Sequence, residues 1–186
     1  MSLNGDGYLD TDEALRLLDL GLRKGVSLDM AMSIDNRGTP VEGESPRTYA
    51  DGKARMDLLG YDVHAGLRIA PGASTASLSL SHLHVVRQSD AATASIASLL
   101  RNQTVGLTIT VSIYRSGGED GSQLEPMIEF VFTGGRVNEV AYLTGGSSGH
   151  PCEVIRFGYR VMSINSAAQL ATGIRGAVRT CDLTAS

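Results

Sequence analysis

The sequence predicts a mainly β protein: a barrel or sandwich of packed antiparallel sheets with one α-helix against its outside. Three observations carry this. Val105, Leu107, Ile109, Val111 and Ile113 keep strict period-2 spacing, which places all five on one strand face. The one internal helical pattern lies between two β-rich runs, over residues 89–103, where Ile96, Leu99 and Leu100 form a single narrow apolar stripe. Glycine is abundant at 22 residues and sits between runs rich in β-branched residues, the pattern of strands joined by tight turns.

Residues 76–118 are the organising stretch: strand, helix, strand. Ser89 and Asp90 precede the helix, and their side-chain oxygens are placed to accept the free N–H groups of its first turn. Upstream, Val26, Leu28, Met30, Met32 and Ile34 alternate with polar or small residues and predict a half-buried strand. Residues 36–56 then form a connection of about twenty residues, longer than compact domains usually carry without a purpose. A strand pattern resumes over 57–69, and 71–75 breaks it. Downstream, 116–123 reads as a polar turn. Ile128, Phe130 and Phe132 share the face of one strand, 136–143 is another, and 144–151 is a loop. Residues 152–164 read as a strand with Ile155, Phe157, Tyr159 and Val161 on one side. Residues 165–173 read as a linker, and a short strand closes the chain. The sum is about eight strands and one internal helix, a hairpin-rich chain of the sandwich or barrel kind.

The 186 residues suit one domain. A net charge of −4 gives no reason to expect a nucleic-acid or anionic-membrane surface. No apolar run approaches the ~20 residues of a membrane helix, and no basic and apolar leader opens the chain. Two cysteines, Cys152 and Cys181, are too few for a disulfide scaffold and read as free thiols.

Residues 1–25 differ from the rest and divide the chain into an N-terminal extension and a β domain over 26–186. NGDGYLDTDE leads into the Leu-rich helical pattern ALRLLDLGLRKG. Asn4, Asp6, Tyr8, Asp10 and Glu13 fall at the spacing of calcium ligands in an EF-hand loop, with Gly7 at its sharp turn. Ser2 stands where the first acidic ligand belongs, no helix precedes the loop, and Met1-Ser2-Leu3 resembles a cloning remnant. The competing reading is an acidic helix start, where carboxylates meet the positive end of the helix dipole.

The remaining motifs offer little catalytic chemistry. There is no P-loop, no dinucleotide fingerprint and no Cys-x-x-Cys pair. Ser147, Ser148 and His150 are close in sequence but lack the nucleophile-elbow pattern. His82 with His84, and His150 with Cys152, have the spacing of paired zinc ligands. The alternative for the histidines is a polar outer strand face opposite Leu83 and Val85. No cofactor is expected, calcium at the N-terminal loop excepted.

Several segments, in collinear order over residues 28–183, resemble the Hcp family, the tube proteins of bacterial type VI secretion. DMAMSID resembles that family's first strand. Val41-Glu42-Gly43-Glu44-Ser45 matches its Gly-Glu-Ser motif, and a long loop and a strand follow, as over 46–66 here. HLHVVRQSDAAT resembles the strand entering the helix; IYRSGG, EFVF and Thr144-Gly145-Gly146 also fit. The family's Trp-rich second strand and its late Trp have no counterpart here, which marks a divergent chain.

The resemblance implies a non-enzymatic β-barrel of two packed sheets with one flanking helix. It implies a homo-hexameric ring that stacks on further rings into a tube expelled by a contractile sheath. The implied partners are copies of itself and the spike, sheath and effector proteins of the machine, with neither nucleic acid nor membrane insertion. The implied route is from bacterial cytoplasm to the outside without a signal peptide. Ring and stacking contacts are expected from 36–56, from the strand ends near 117–121 and 145–149, and in particular from Glu42, Gly43, Glu44, Ser45, Arg47 and Tyr49. A calcium-dependent binding module built on the N-terminal loop is the alternative function.

Overall fold

The structure, a computed structural model, describes residues 16, 28–69, 75–115, 125–144, 149–169 and 175–184. Within them lie, in chain order, β1 (Leu28–Asn36), β2 (Thr39–Pro40), β3 (Met56–Asp57), β4 (Gly60–Asp62), β5 (Ala65–Arg68), β6 (Ser77–Leu80) and β7 (Leu83–Gln88). Helix α1 (Ala92–Arg101) follows. Then come β8 (Leu107–Arg115), β9 (Ile128–Leu143), β10 (Cys152–Gly158), β11 (Val161–Gln169) and β12 (Arg175–Thr184).

Strand β9 is the hinge of the architecture. Its first half pairs with β8 on one side and β11 on the other. Its second half pairs with β10, which continues to β7 and β4. The change of partner falls at Gly134 and Gly135. Gly134 has φ +65°, and a Cβ on Gly135 would lie 2.3 Å from Ile109 Cδ1. Only glycine lets the strand turn this corner against β8. The sequence expectation of two strands over 126–143 is therefore corrected to one long bent strand.

The opposite corner is made by the β3–β4 segment. Met56 and Asp57 pair with Met32 and Ala31 of β1, and the Leu58 N–H donates to Met30 O. One residue later the Leu59 N–H donates to Val86 O, and β4 continues along β7. Backbone hydrogen bonds thus close a barrel through β1, β8, β9, β10, β7 and β3–β4. The β11–β12 pair extends one sheet beyond it.

The interior is filled from alternating positions, as the period-2 pattern requires. Met32, Ile34, Ile109, Val111, Phe132, Ile155, Phe157, Leu83 and Val85 are buried in one cluster. Helix α1 covers the cluster with Ala92 and Ile96, and Leu99 and Leu100 pack at its margin. Asp90 starts the helix as expected: its Oδ1 accepts the Ala92 N–H at 2.7 Å, and its own N–H donates to Thr93 Oγ1. Ser89 donates its backbone N–H to Pro151 O.

Four further expectations are corrected. Val105 lies before β8 and is 52% exposed, because Gly106 at φ +81° breaks the extended run. Residues 152–164 are not one strand. Tyr159 and Arg160 turn the chain from β10 into β11, and the Arg160 N–H is held by Thr133 O. The presumed linker is β-structure as far as Gln169, since Asn165 and Ser166 pair with both β9 and β12. His84 is not on a solvated face. It is 3% exposed, because β7 is flanked on both sides by β4 and β10.

Candidate assembly surfaces

The loop between β2 and β3 carries all six residues singled out for subunit contacts, and the structure divides them. Residues 41–49 run extended beside β1 with alternating exposure. Glu42 and Glu44 point outward. Gly43 points inward, where a Cβ would lie 2.4 Å from Arg55 O and 2.5 Å from Met56 Cγ. Ser45 is anchored by its N–H to Arg55 O and by its hydroxyl to Tyr49 Oη at 2.7 Å. Arg47 bridges Asp29 at 3.1 Å and Asp57 at 4.0 Å.

Tyr49 is 2% exposed within the single chain. Its ring packs on Tyr114 at 5.4 Å between centroids, and the Arg55 guanidinium lies 4.5 Å above it. Arg55 is in turn held by both carboxylate oxygens of Asp51. Burial pushes the Tyr49 hydroxyl above its ordinary pKa and that of Tyr114 to about 12. The loop thus folds onto its own barrel through alternate residues, and over 41–49 its outward groups are the two glutamates with Pro46 and Thr48.

A second surface was missed from sequence. β5 and β6 form a hairpin that is its own two-stranded sheet, in register from Ala65↔Leu80 to Arg68↔Ser77. Its ladder continues one pair further at the base, where the Ser81 N–H donates to His64 O and the His64 N–H to Ser81 Oγ, and Leu80 packs against the barrel core. Leu67 is 73% and Ile69 70% exposed. An isolated hairpin is marginal in water, and two large apolar side chains on it mark a contact surface. The signal was present: apolar residues alternate with polar or small ones on both sides of Pro71-Gly72, as Leu67 and Ile69 do before it and Leu78 and Leu80 after it.

The third surface is a groove of about 560 Å³ where the two sheets meet. Gly106, Gly134 and Gly158 lie along it, with His82, Arg136 and Arg160 at its sides. The glycines leave room for neighbours. A Cβ on Gly134 would meet Arg160 Cδ at 2.9 Å, and one on Gly158 would meet Asn138 Nδ2 at 2.8 Å. Arg37 approaches from the turn after β1, with Nε 3.7 Å from a Cβ position on Gly106. Burial, then the charges of Arg156 and Arg136, hold the His82 imidazole below its ordinary pKa.

Beside the groove, four residues stand in register across four strands: Asp62, His84, Arg156 and Glu139. Arg156 and Glu139 pair at 3.0 Å, and His64 reaches Asp62 at 3.1 Å. Burial holds His84 down to about pKa 4. Among the described residues no three His, Cys, Asp or Glu side chains converge as metal ligands. The proposed zinc pairs stay apart in role: His84 belongs to the charge row, while Cys152 packs with Val86 and Val154 and its thiol meets His150 O. Asn4, Asp6, Tyr8, Asp10, Glu13, Ser147, Ser148 and residues 117–121 lie outside the described residues.

No protein-family model and no curated protein matches the chain. Solved structures do. A structure described as a type six secretion system protein superposes with TM-score 0.69 at 22% identity, covering 85% of this chain and 96% of its own. Hcp1 from Salmonella typhimurium gives 0.65 at 13% identity, covering 86% and 95%. The secreted protein Hcp3 from Pseudomonas aeruginosa gives 0.60 at 11%, covering 86% and 99%. The chain therefore has the Hcp fold, a mainly β barrel of two antiparallel sheets with one helix, at sequence identities too low to carry more than the fold.

Proposed function

We propose that this chain is a divergent Hcp protein, a non-enzymatic tube subunit of a type VI secretion machine that closes into hexameric rings and stacks through them. The observation that carries the reading is the superposition of more than four-fifths of the chain on Hcp structures that are themselves almost wholly covered. The exposed surfaces support it. A ring repeats one heterologous contact around an axis, and this barrel offers chemically different patches to supply its two sides. Glu42 and Glu44 form an acidic edge, and Leu67 and Ile69 an apolar hairpin. Gly43, Ser45, Arg47 and Tyr49 act in this reading by holding the acidic edge rigid.

The reading brings spike, sheath and effector proteins as partners and export through the machine itself. Among the described residues no helix is long and apolar enough to cross a membrane. Size-exclusion chromatography with light scattering, followed by negative-stain microscopy, tests the proposal. Annular particles of six-subunit mass are expected. A monomer persisting at high protein concentration would overturn the ring.

A further inference from the structure

We propose that the groove along Gly106, Gly134 and Gly158 is a binding site for a compact polyphosphate, a small molecule carrying linked phosphate groups, held by Arg37, Arg136 and Arg160. The site is built within one chain and needs no second subunit, so it stands or falls apart from the ring.

The groove carries one sign of charge. Arg136, Arg160 and His82 line it together with Ser81 and Asn138, and among the described residues no aspartate or glutamate does. That bias stands out in a chain of net charge −4. The glycines along the groove seat hydrogen-bond donors. The Arg37 guanidinium lies over Gly106, with Nε 3.7 Å and Nη2 3.8 Å from the point a Cβ would occupy. The Arg160 stem crosses Gly134, its Cδ 2.9 Å from the equivalent point, and the Asn138 amide crosses Gly158 at 2.8 Å. A side chain at Gly134 or Gly158 would push its donor aside. Guanidiniums only donate, and a carboxamide can turn an N–H to a ligand, so these seated groups suit an acceptor-rich guest.

Size and charge select the guest. A concavity of about 560 Å³ is of small-molecule dimensions. Three guanidiniums around it call for more than one negative charge. Linked phosphates concentrate several charges in a compact unit and present paired oxygens to each guanidinium fork. A polycarboxylate spreads the same charge over a bulkier carbon skeleton. His82 reports the local field. After burial, the charges of Arg156 and Arg136 disfavour its imidazolium, so an anion seated beside it would act in the opposite sense.

Titration of the full-length protein with pyrophosphate at constant ionic strength tests the proposal. Calorimetry should show one site per chain. The His82 imidazole, followed by NMR and assigned through its loss in His82→Gln, should rise in pKa by about 1 when the site is filled. Arg136→Gln and Arg160→Gln should each weaken binding about tenfold, whereas Arg136→Lys and Arg160→Lys should retain most of it. Inorganic phosphate and citrate should both bind more weakly than pyrophosphate. Circular dichroism checks that each variant is folded. Absence of binding heat with an unmoved His82 overturns the site. Binding that survives Arg136→Gln with Arg160→Gln overturns its placement in this groove. Citrate binding as tightly as pyrophosphate overturns the assignment to phosphate.

Discussion

Arg87 and Glu153 form an ion pair, Nε to Oε1 at 3.0 Å, with neither side chain exposed to solvent. The pair joins neighbouring strands β7 and β10, where Arg87 stands opposite Glu153 in register. Arg87 also grips Asp90, the residue that starts α1, and donates from Nε to Gln88 O. One guanidinium therefore ties two strands to the helix that covers the barrel. Burial raises the Glu153 carboxyl, against the pull of Arg87 and Thr93.

Removing Glu153 leaves the buried Arg87 guanidinium with Asp90 as its remaining carboxylate. Glu153→Ala should lower the unfolding free energy by about 3–5 kcal/mol, measured by urea denaturation. Replacing both, Arg87→Met with Glu153→Leu, should recover most of that loss, since a well-packed apolar pair often matches a buried ion pair. If the double variant is as unstable as the single one, the link to Asp90 contributes more than the pair itself.

His84 makes stability depend on pH in a predictable direction. Its folded pKa is near 4 against an ordinary 6.5, because burial disfavours the imidazolium and Arg156 and His82 oppose it further, with Asp62 pulling the other way. The unfolded chain thus binds a proton in the window from 6.5 to 4 that the folded chain refuses. The contribution is full above pH 6.5 and is lost as pH falls toward 4. At 1.36 kcal/mol per pKa unit it amounts to about 3 kcal/mol. His84→Gln should flatten the stability profile between pH 7 and 4. A profile as steep as the parent's would move the effect to another group.

Much of this barrel was legible because its strands are amphipathic. The faces of β1 and β8, the helix and its Asp90 cap follow from spacing and side-chain chemistry alone. What sequence missed lay where tertiary contacts override local pattern. Gly134-Gly135 looks like a turn between two strands, but β8, β10 and β11 pair along both flanks and keep β9 continuous. His84 alternates like a surface residue but is buried by strands on either side. Tyr49 sits in a polar, Pro- and Gly-rich loop, and nothing nearby in sequence announces its partner Tyr114, which arrives from β8. In the long loop, Gly43, Ser45, Tyr49 and Arg55 are held against their own barrel, while Glu42, Glu44, Pro46 and Thr48 stay exposed.

The contrast between two glycines tests how that loop is held. Gly43 has no space for a Cβ, which would meet Arg55 and Met56 within 2.6 Å, while Gly66 has nothing within 4 Å. Gly43→Ala should cost about 1–3 kcal/mol by forcing the loop off β3, the usual range for overpacking. Gly66→Ala should be nearly neutral. Faster hydrogen exchange over residues 41–55 in the first variant alone is the expected signature.

The hairpin separates assembly from folding. Leu67 and Ile69 are far more exposed than the core residues, so they contribute little to the stability of one chain. Leu67→Asp with Ile69→Asp should therefore leave the urea midpoint within about 0.5 kcal/mol of the parent. If these side chains are covered by a neighbouring copy, the same variant places two charges in an apolar contact, which desolvation strongly opposes. Loss of the largest species in light scattering, with smaller particles intact, would assign the hairpin to contacts between rings. Loss of every oligomer would assign it to the ring itself, and unchanged particle sizes would leave Glu42 and Glu44 as the next surface to reverse in charge.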